Sequence, residues 1–127
     1  MRGFLKETKR SDPCVGDWYR LEGHKVVKCA NYGEQLDLYV KRKQGIANND
    51  DPHRVASSYV GDVHVSTVFL GLDHGFGSGP PIVFETMIFH GSHDGYQDRC
   101  STWEEAEKMH QKAVAIVRGE IESPEHE

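Results

Sequence analysis

The sequence predicts an α+β fold, an antiparallel β-meander of three to five strands with a C-terminal amphipathic helix packed on the sheet. Three runs rich in β-branched and aromatic residues, RVASSYV, VHVSTVFLGL and IVFETMIFHG, follow one another with turn-forming residues between them. The segment STWEEAEKMHQKAVAIVRG opens with a capping-box pattern and ends on glycine, as a helix does. Successive strands followed by one helix are typical of an α+β domain.

The length of 127 residues predicts a single domain over 1–127. Both ends are polar and lack periodicity, so residues 1–15 and 120–127 are expected to be flexible tails. Structure is expected to begin near Trp18, where two short apolar runs around Glu22 and Gly23 favour a hairpin or a bent strand.

The next two elements are helices at opposite ends of the strand region. Residues 32–43 predict a short amphipathic helix, which the turn-forming run GIANNDDP ends. Its apolar residues are Leu36, Leu38, Tyr39 and Val40. In the C-terminal helix one stripe is expected to lie across the sheet: Trp103, Ala106, His110, Ala113, Val114 and Val117.

Charge and composition disfavour several classes of function. The net charge of −5, from 20 acidic and 15 basic residues, disfavours nucleic-acid binding, and the basic run VKRKQ is interpreted as a solvated helix face. No apolar run approaches the roughly 20 residues of a membrane span, and no export signal follows the basic start, which predicts a cytoplasmic location without membrane contact. Three cysteines without CxxC spacing are interpreted as reduced thiols.

The stretch GLDHGFGSGPPIVFET, residues 71–86, is the strongest candidate for a functional loop. Backbone amides freed by glycine can cradle an anion, which predicts a pocket with Asp73 and His74 at its mouth and Glu85 or His110 deeper inside. The alternative is a long hairpin loop in which glycine supplies positive φ angles. The candidate ligand-binding residues are Asp73, His74, Gly75, Gly77, Gly79, Glu85 and His110.

The strands that flank this loop are assumed to pair in a register centred near Gly77, with His64 opposite His90. Both histidines begin an H-x-S triplet, and such a cross-strand pair resembles the two-histidine phosphoesterases. In this hairpin His64 and His90 lie more than about 20 Å from Asp73 and His74, so the two groups cannot share a metal ion and no metal site is predicted.

The same register predicts a sheet that is apolar on both faces, which suggests that a second copy covers one of them as a homodimer. Glu85 then lies among apolar side chains, and two interpretations remain open. It accepts a structural hydrogen bond from Thr67 or a backbone amide, or it is a ligand-facing carboxylate with a raised pKa. His110 is likewise either a hydrogen-bonded core residue or a functional one.

Four sequence blocks resemble a family of short, uncharacterised proteins encoded by bacteriophages and by bacteria that carry phage-derived genes. The blocks are residues 65–74, 79–81 and 84–87, and 102–106 together with His110. The resemblance covers less than half of the chain and implies a gene context, without assigning a catalytic role to any residue.

A phage context implies a small accessory protein that acts by binding in the host cytoplasm, as a host-protein inhibitor or by sequestering a small anionic or nucleotide ligand, including in counter-defence. Two alternatives stay open: a small nucleotide or phosphodiester hydrolase that uses His74 or the His64 and His90 pair, and a structural virion component. The sequence identifies no cofactor.

Overall fold

The computed structural model describes residues 17–75 and 79–122. Most of the two expected tails therefore lies outside the described residues. Along the chain the elements are β1 (Tyr19–Glu22), β2 (Lys25–Lys28), α1 (Tyr32–Ala47), β3 (Arg54–Val60), β4 (Val63–Phe69), β5 (Phe84–Phe89), β6 (Gln97–Cys100) and α2 (Trp103–Val117). The α+β prediction is confirmed, since β3 to β6 form a four-stranded antiparallel meander in chain order and α2 packs on it.

Helix α2 covers one side of the meander, which we call the inner face. The Thr102 hydroxyl caps the helix by accepting a hydrogen bond from the amide of Glu105, and the Glu105 carboxylate in turn accepts one from the amide of Thr102, so the predicted capping box is present. The predicted stripe is largely confirmed. The buried residues of α2 are Ala106, Met109, His110, Ala113, Val114 and Ile116.

The inner face of the sheet is the apolar core of the protein. Because side chains alternate along a strand, opposed residues of β4 and β5 point to the same side. The opposed pairs buried against α2 are Val65 with Ile88, Thr67 with Thr86, and Phe69 with Phe84.

The assumed register of β4 and β5 is wrong by one residue. His64 pairs with Phe89 instead of His90, and Val68 pairs with Glu85. A slip of one residue turns every side chain of a strand to the other side, so Glu85, Met87 and Phe89 lie on the side opposite α2, which we call the outer face. Both alternate rows of β5 are mostly apolar, and their pattern therefore could not select the register.

The predicted N-terminal hairpin is confirmed as β1 and β2, which form a separate two-stranded sheet. Backbone hydrogen bonds join this region to the segment after β4, from the amide of Tyr19 to the carbonyl of Gly71 at 2.7 Å and from the amide of Asp73 to the carbonyl of Asp17 at 2.9 Å. Trp18, which precedes β1, is thereby held against the end of the main sheet.

Helix α1 extends four residues beyond its predicted end and buries none of its side chains. Two contacts hold its C-terminal half to the chain before β3. Arg42 forms a two-pronged ion pair with Asp51, at 3.2 Å for each nitrogen–oxygen contact. A Cβ on Gly45 would lie 2.4 Å from both the carbonyl oxygen of Asp50 and the ring of Pro52, so only glycine permits this close approach.

Candidate functional site

Asp73 anchors the base of the glycine loop. One of its carboxylate oxygens accepts the backbone amides of Gly75 and Ile82, each at 2.8 Å, and the amide of His74 donates to the carbonyl of Ile82 at 2.9 Å. The Asp73 carboxylate therefore occupies two amides that an anion would use. This arrangement agrees with the alternative of a structured hairpin loop.

Two further glycines of the loop were candidate ligand-binding residues. Gly77 lies outside the described residues. Gly79 is exposed and has a φ of 113°, a conformation that favours glycine, and a Cβ there would meet nothing within 4 Å. The anion-cradle hypothesis thus stays a prediction for residues 75–79.

Glu85 lies on the outer face, and its partner differs from both of the expected ones. Its carboxylate accepts a hydrogen bond from Nε of Arg99 on the neighbouring strand at 3.0 Å and another from the side-chain amide of Gln97. Thr67, the expected donor, points to the inner face. The one-residue change of register is the reason for this difference.

His110 belongs to a hydrogen-bonded chain of four buried or half-buried side chains, the Ser58–His110–Thr67–Thr86 network. Nδ1 of His110 lies 2.7 Å from the Thr67 hydroxyl, Nε2 lies 2.8 Å from the Ser58 hydroxyl, and the two threonine hydroxyls are 2.5 Å apart. His110 is 1% exposed. Since His110 lies against the inner face and Glu85 on the outer one, the structure does not bring these two candidates together.

The buried histidines make stability depend on pH. Burial lowers the pKa of His110 and of His53, so both rings stay neutral in the folded protein to a lower pH than in the unfolded chain, where histidine protonates near its ordinary pKa of about 6.5. Their contribution is therefore complete above about pH 6.5 and is lost as the pH falls through the window below it. We expect urea unfolding to give a lower free energy at about pH 5.5 than at about pH 7.5, with a slope of at most about 1.4 kcal/mol per unit for each histidine.

The control for this prediction is His110→Gln, which keeps a donor and an acceptor but cannot be protonated in this range. The variant is expected to lose less stability than the original protein between the two pH values. An equal loss would show that His110 does not contribute.

The two H-x-S histidines do not form the expected cross-strand pair. His64 stacks on Tyr59 with ring centres 4.4 Å apart, lies 5.8 Å from the ring of Phe89, and hydrogen-bonds Ser57 at 2.8 Å. His90 follows the end of β5 in a turn with a φ of 75°. The outer face therefore presents a row of three rings in place of two opposed histidines.

A cleft of about 390 Å³ lies between α1 and the end of the main sheet, and we call it the Trp18 cleft. Its walls come from four separate parts of the chain, which the β1 attachment and the Arg42–Asp51 ion pair hold together. Most of the lining is apolar or aromatic. The lining residues are Trp18, Tyr32, Gln35, Leu36, Leu38, Tyr39, Arg42, His53, Leu70 and Gly71.

His53 is the polar group of the cleft whose hydrogen bonding is incomplete. The residue is 8% exposed, and Nδ1 of its ring is buried with no hydrogen-bond partner in the described parts of the chain. Burial lowers the pKa of the imidazole, and the Arg42 charge lowers it further. A buried polar atom without a partner is uncommon and indicates a binding group or strain.

The two charged side chains nearest His53 in the chain and the cleft, Asp51 and Arg42, form an ion pair with each other. Burial alone would raise the pKa of the Asp51 carboxyl, but the amide of His53 and the guanidinium of Arg42 hold it below its ordinary value. Asp51 therefore remains ionised and neutralises Arg42. The cleft offers a neutral imidazole beside a closed ion pair.

A second, wider groove of about 1160 Å³ lies between the turn after β5 and the end of α2. It is more open to solvent, and the lining side chains are mostly exposed. No buried polar atom without a partner lines it among residues 92–97 and 116–122. The Trp18 cleft is thus the better candidate site.

The sequence pattern did not predict the Trp18 cleft. Tyr32, Leu36 and Tyr39 recur at helical spacing and predicted only an amphipathic helix face. His53 follows a proline in a turn-rich run and has no motif around it. The signal available in the sequence was the aromatic face of this predicted helix.

Within residues 17–75 and 79–122, no group of three or more histidine, cysteine, aspartate or glutamate side chains is arranged to hold a metal ion. The same residues contain no helix of the length and apolar character needed to cross a bilayer. Comparison of the chain with protein-family models, curated proteins and solved structures finds no match. The candidate site therefore depends on its geometry alone.

Proposed function

We propose that this protein acts by binding a small molecule in the Trp18 cleft. The observation that carries the proposal is a concave cleft with aromatic and aliphatic walls, whose lining also includes the largely buried imidazole of His53. A concave apolar site with few polar groups and a residue of perturbed pKa is the usual character of a ligand pocket. The cleft volume of about 390 Å³ lies within the range of small-molecule sites.

The residues of the cleft favour binding over catalysis. Among the residues that the structure describes, the lining has no serine or threonine hydroxyl, no thiol and no carboxylate, so none of these lining groups is available as a nucleophile for His53 to activate. A hydrolase would need such a group or a positioned water opposite an electrophile. Retention of a ligand is the chemistry that a neutral imidazole and three aromatic rings support.

The proposal is tested by NMR titration of the ¹⁵N-labelled chain with a set of small uncharged fragments, both aliphatic and aromatic. We expect binders to shift the resonances of the cleft residues, and Tyr39→Ala to weaken their affinity by about fivefold because it removes one aromatic wall. Tyr39 is 60% exposed, so its truncation leaves the core intact.

Tyr59→Ala is the matched control, since Tyr59 is 70% exposed and lies on the outer face. It should leave every affinity unchanged. Equal weakening by the two substitutions, or shifts confined to the outer face, would contradict binding in the cleft.

The role in a host cell remains a proposal that depends on the phage-family resemblance. A ligand-sequestering protein fits the cleft, whereas a host-protein inhibitor or a homodimer fits the outer face. There the Tyr59, His64 and Phe89 rings are accompanied by an internally paired Glu85 and Arg99. The exposed Arg54 also lies on this face, near enough to His64 to lower its pKa. Exposed rings on an acidic chain suit a protein partner better than a nucleic acid.

A further inference from the structure

The two edges of the main sheet differ in their protection against pairing with another strand. Strand β6 is four residues long and carries Asp98 and Arg99, and a short, charged edge strand is a common protection in natural sheets. Strand β3 is seven residues long, and its residues 56–60 include no charged residue, no proline and no glycine. The side of β3 that faces away from β4, which we call the β3 edge, therefore lacks this protection.

We propose that the β3 edge pairs with the β3 edge of a second copy of the chain, antiparallel, and joins the two main sheets into one continuous sheet. This inference goes beyond the proposed function and does not depend on the Trp18 cleft. It also differs from a homodimer that covers the outer face, because edge pairing leaves the outer face of both copies open.

The backbone of β3 has hydrogen-bonding groups that point away from the sheet. Val60 pairs with Val63 across a two-residue turn, and a hairpin of this kind closes on a hydrogen-bonded pair. Bonded and non-bonded pairs alternate along an antiparallel ladder, so Ser57 and Tyr59 direct their amides and carbonyls away from β4. Among the residues that the structure describes, no backbone hydrogen bond joins this side of β3 to another element.

The β3 edge is accessible to a further strand. The elements that pack substantially against β3 are β4, which is its neighbour in the sheet, and α2, which lies on the inner face. Ser57 and Tyr59 are both exposed. An added strand would therefore exchange hydrogen bonds with groups that otherwise bond to water, as in other cases of strand addition to a sheet edge.

A second copy fits this edge because the pairing is self-complementary. Paired residues of a sheet point to the same face, so a two-fold antiparallel pairing places one residue of β3 opposite itself. With Ser58 in that position, Ser57 lies opposite Tyr59 of the second copy, and their outward amides and carbonyls exchange hydrogen bonds in both directions. Ala56 then lies opposite Val60 of the second copy, so this pairing buries no charge.

The charges at the two ends of β3 support a second copy as the occupant. Arg54 begins the strand, Asp62 lies in the turn that follows it, and both are exposed. Antiparallel pairing brings the start of one β3 beside the end of the other, so each Arg54 comes next to Asp62 of the second copy. Opposite charges at both ends favour this direction and register, and a strand of a different protein has no such built-in match.

The proposal is tested by sedimentation velocity of the full chain over a range of concentrations, with Ser57→Pro and Ser57→Ala as a matched pair. Proline removes the outward amide of residue 57 without removing a hydrogen bond to β4, whereas alanine keeps that amide. We expect the original protein and Ser57→Ala to form dimers. Ser57→Pro should raise the dimer dissociation constant by at least about tenfold, because each copy loses one hydrogen bond across the interface.

Ser66→Lys distinguishes edge pairing from a dimer through the outer face. Ser66 lies opposite Ser57 on the same face, but on the interior strand β4. A lysine there would disrupt packing on the outer face and should leave the edge dimer unchanged. Loss of the dimer in Ser66→Lys, or a dimer that Ser57→Pro retains at full strength, would overturn the proposal.

Amide hydrogen exchange of the original protein, measured by NMR, tests the pairing without any substitution. The amides of Ser57 and Tyr59 should exchange more slowly as the protein concentration rises, whereas the amide of Ser58, which faces β4, should be protected at every concentration. Exchange at Ser57 and Tyr59 that does not depend on concentration would contradict the pairing. A chain that stays monomeric at every concentration would likewise overturn it and would leave the β3 edge to a strand of a different protein.

Discussion

Replacing His110 with alanine is expected to lower the free energy of unfolding by about 3–4 kcal/mol. The substitution leaves a cavity on the inner face, where His110 is 1% exposed, and it removes a hydrogen-bond partner from both Ser58 and Thr67. A cavity and a buried hydroxyl without a partner each cost on the order of 1–3 kcal/mol. Urea unfolding of the two proteins at one pH measures the difference.

Two control substitutions distinguish the contribution of the Ser58–His110–Thr67–Thr86 network from a general effect of substitution in α2. Gln111→Ala changes the next residue, which is exposed, and should alter stability by less than about 0.5 kcal/mol. His110→Gln supplies an amide that can donate and accept, and it should recover part of the loss. A loss below about 1 kcal/mol for His110→Ala would mean that the network contributes little to the fold.

Replacing Phe69 with alanine is expected to cost about 3–5 kcal/mol, which is typical of a large aromatic side chain in a core. Phe69 is fully buried, and its ring contacts Phe84 at 5.3 Å and His53 edge-on at 5.0 Å between centres. The substitution therefore opens the core and also removes the ring that fixes the orientation of His53. Urea unfolding measures the first effect, and fragment titration of the folded fraction measures the second.

Phe89→Ala is the matched control, because Phe89 is on the adjacent strand, points to the outer face and is 38% exposed. Its truncation should cost about 1 kcal/mol and leave fragment binding unchanged. Similar losses for the two phenylalanines would contradict the assignment of inner and outer faces.

The elements with strong local signals could be predicted from the sequence. The capping residues and apolar stripe of α2 are properties of that segment alone, and RVASSYV matches β3 residue for residue. Strand β6 carries the residues QDRC, which have no β-branched or alternating pattern. It becomes a strand because β5 offers it an edge, and this is a tertiary effect.

The register of β4 and β5 could not be predicted because the loop between them is long and rich in glycine. Short turns determine the register of a hairpin, whereas this loop is closed through the Asp73 carboxylate. Glu85 carried the useful signal. Had its charge been assigned to the outer face, the register with Phe84, Thr86 and Ile88 inside would have followed.

The candidate site lay beyond sequence reasoning for a similar reason. Trp18 and His53 are distant in the chain, and backbone bonds from β1 to Gly71 bring Trp18 to the end of β4. No periodic pattern reports that contact. The unpartnered Nδ1 of His53 becomes visible only when the surrounding atoms are placed.

The most direct test of binding in the Trp18 cleft is the measurement of intermolecular nuclear Overhauser effects between a bound aromatic fragment and the protein. Cross-peaks from the protons of the fragment to the side chains of Trp18, Leu36 and Tyr39 are the predicted result, since these line one cavity. Cross-peaks to Tyr59 and Phe89 on the outer face, without any to Trp18, would contradict the proposed site.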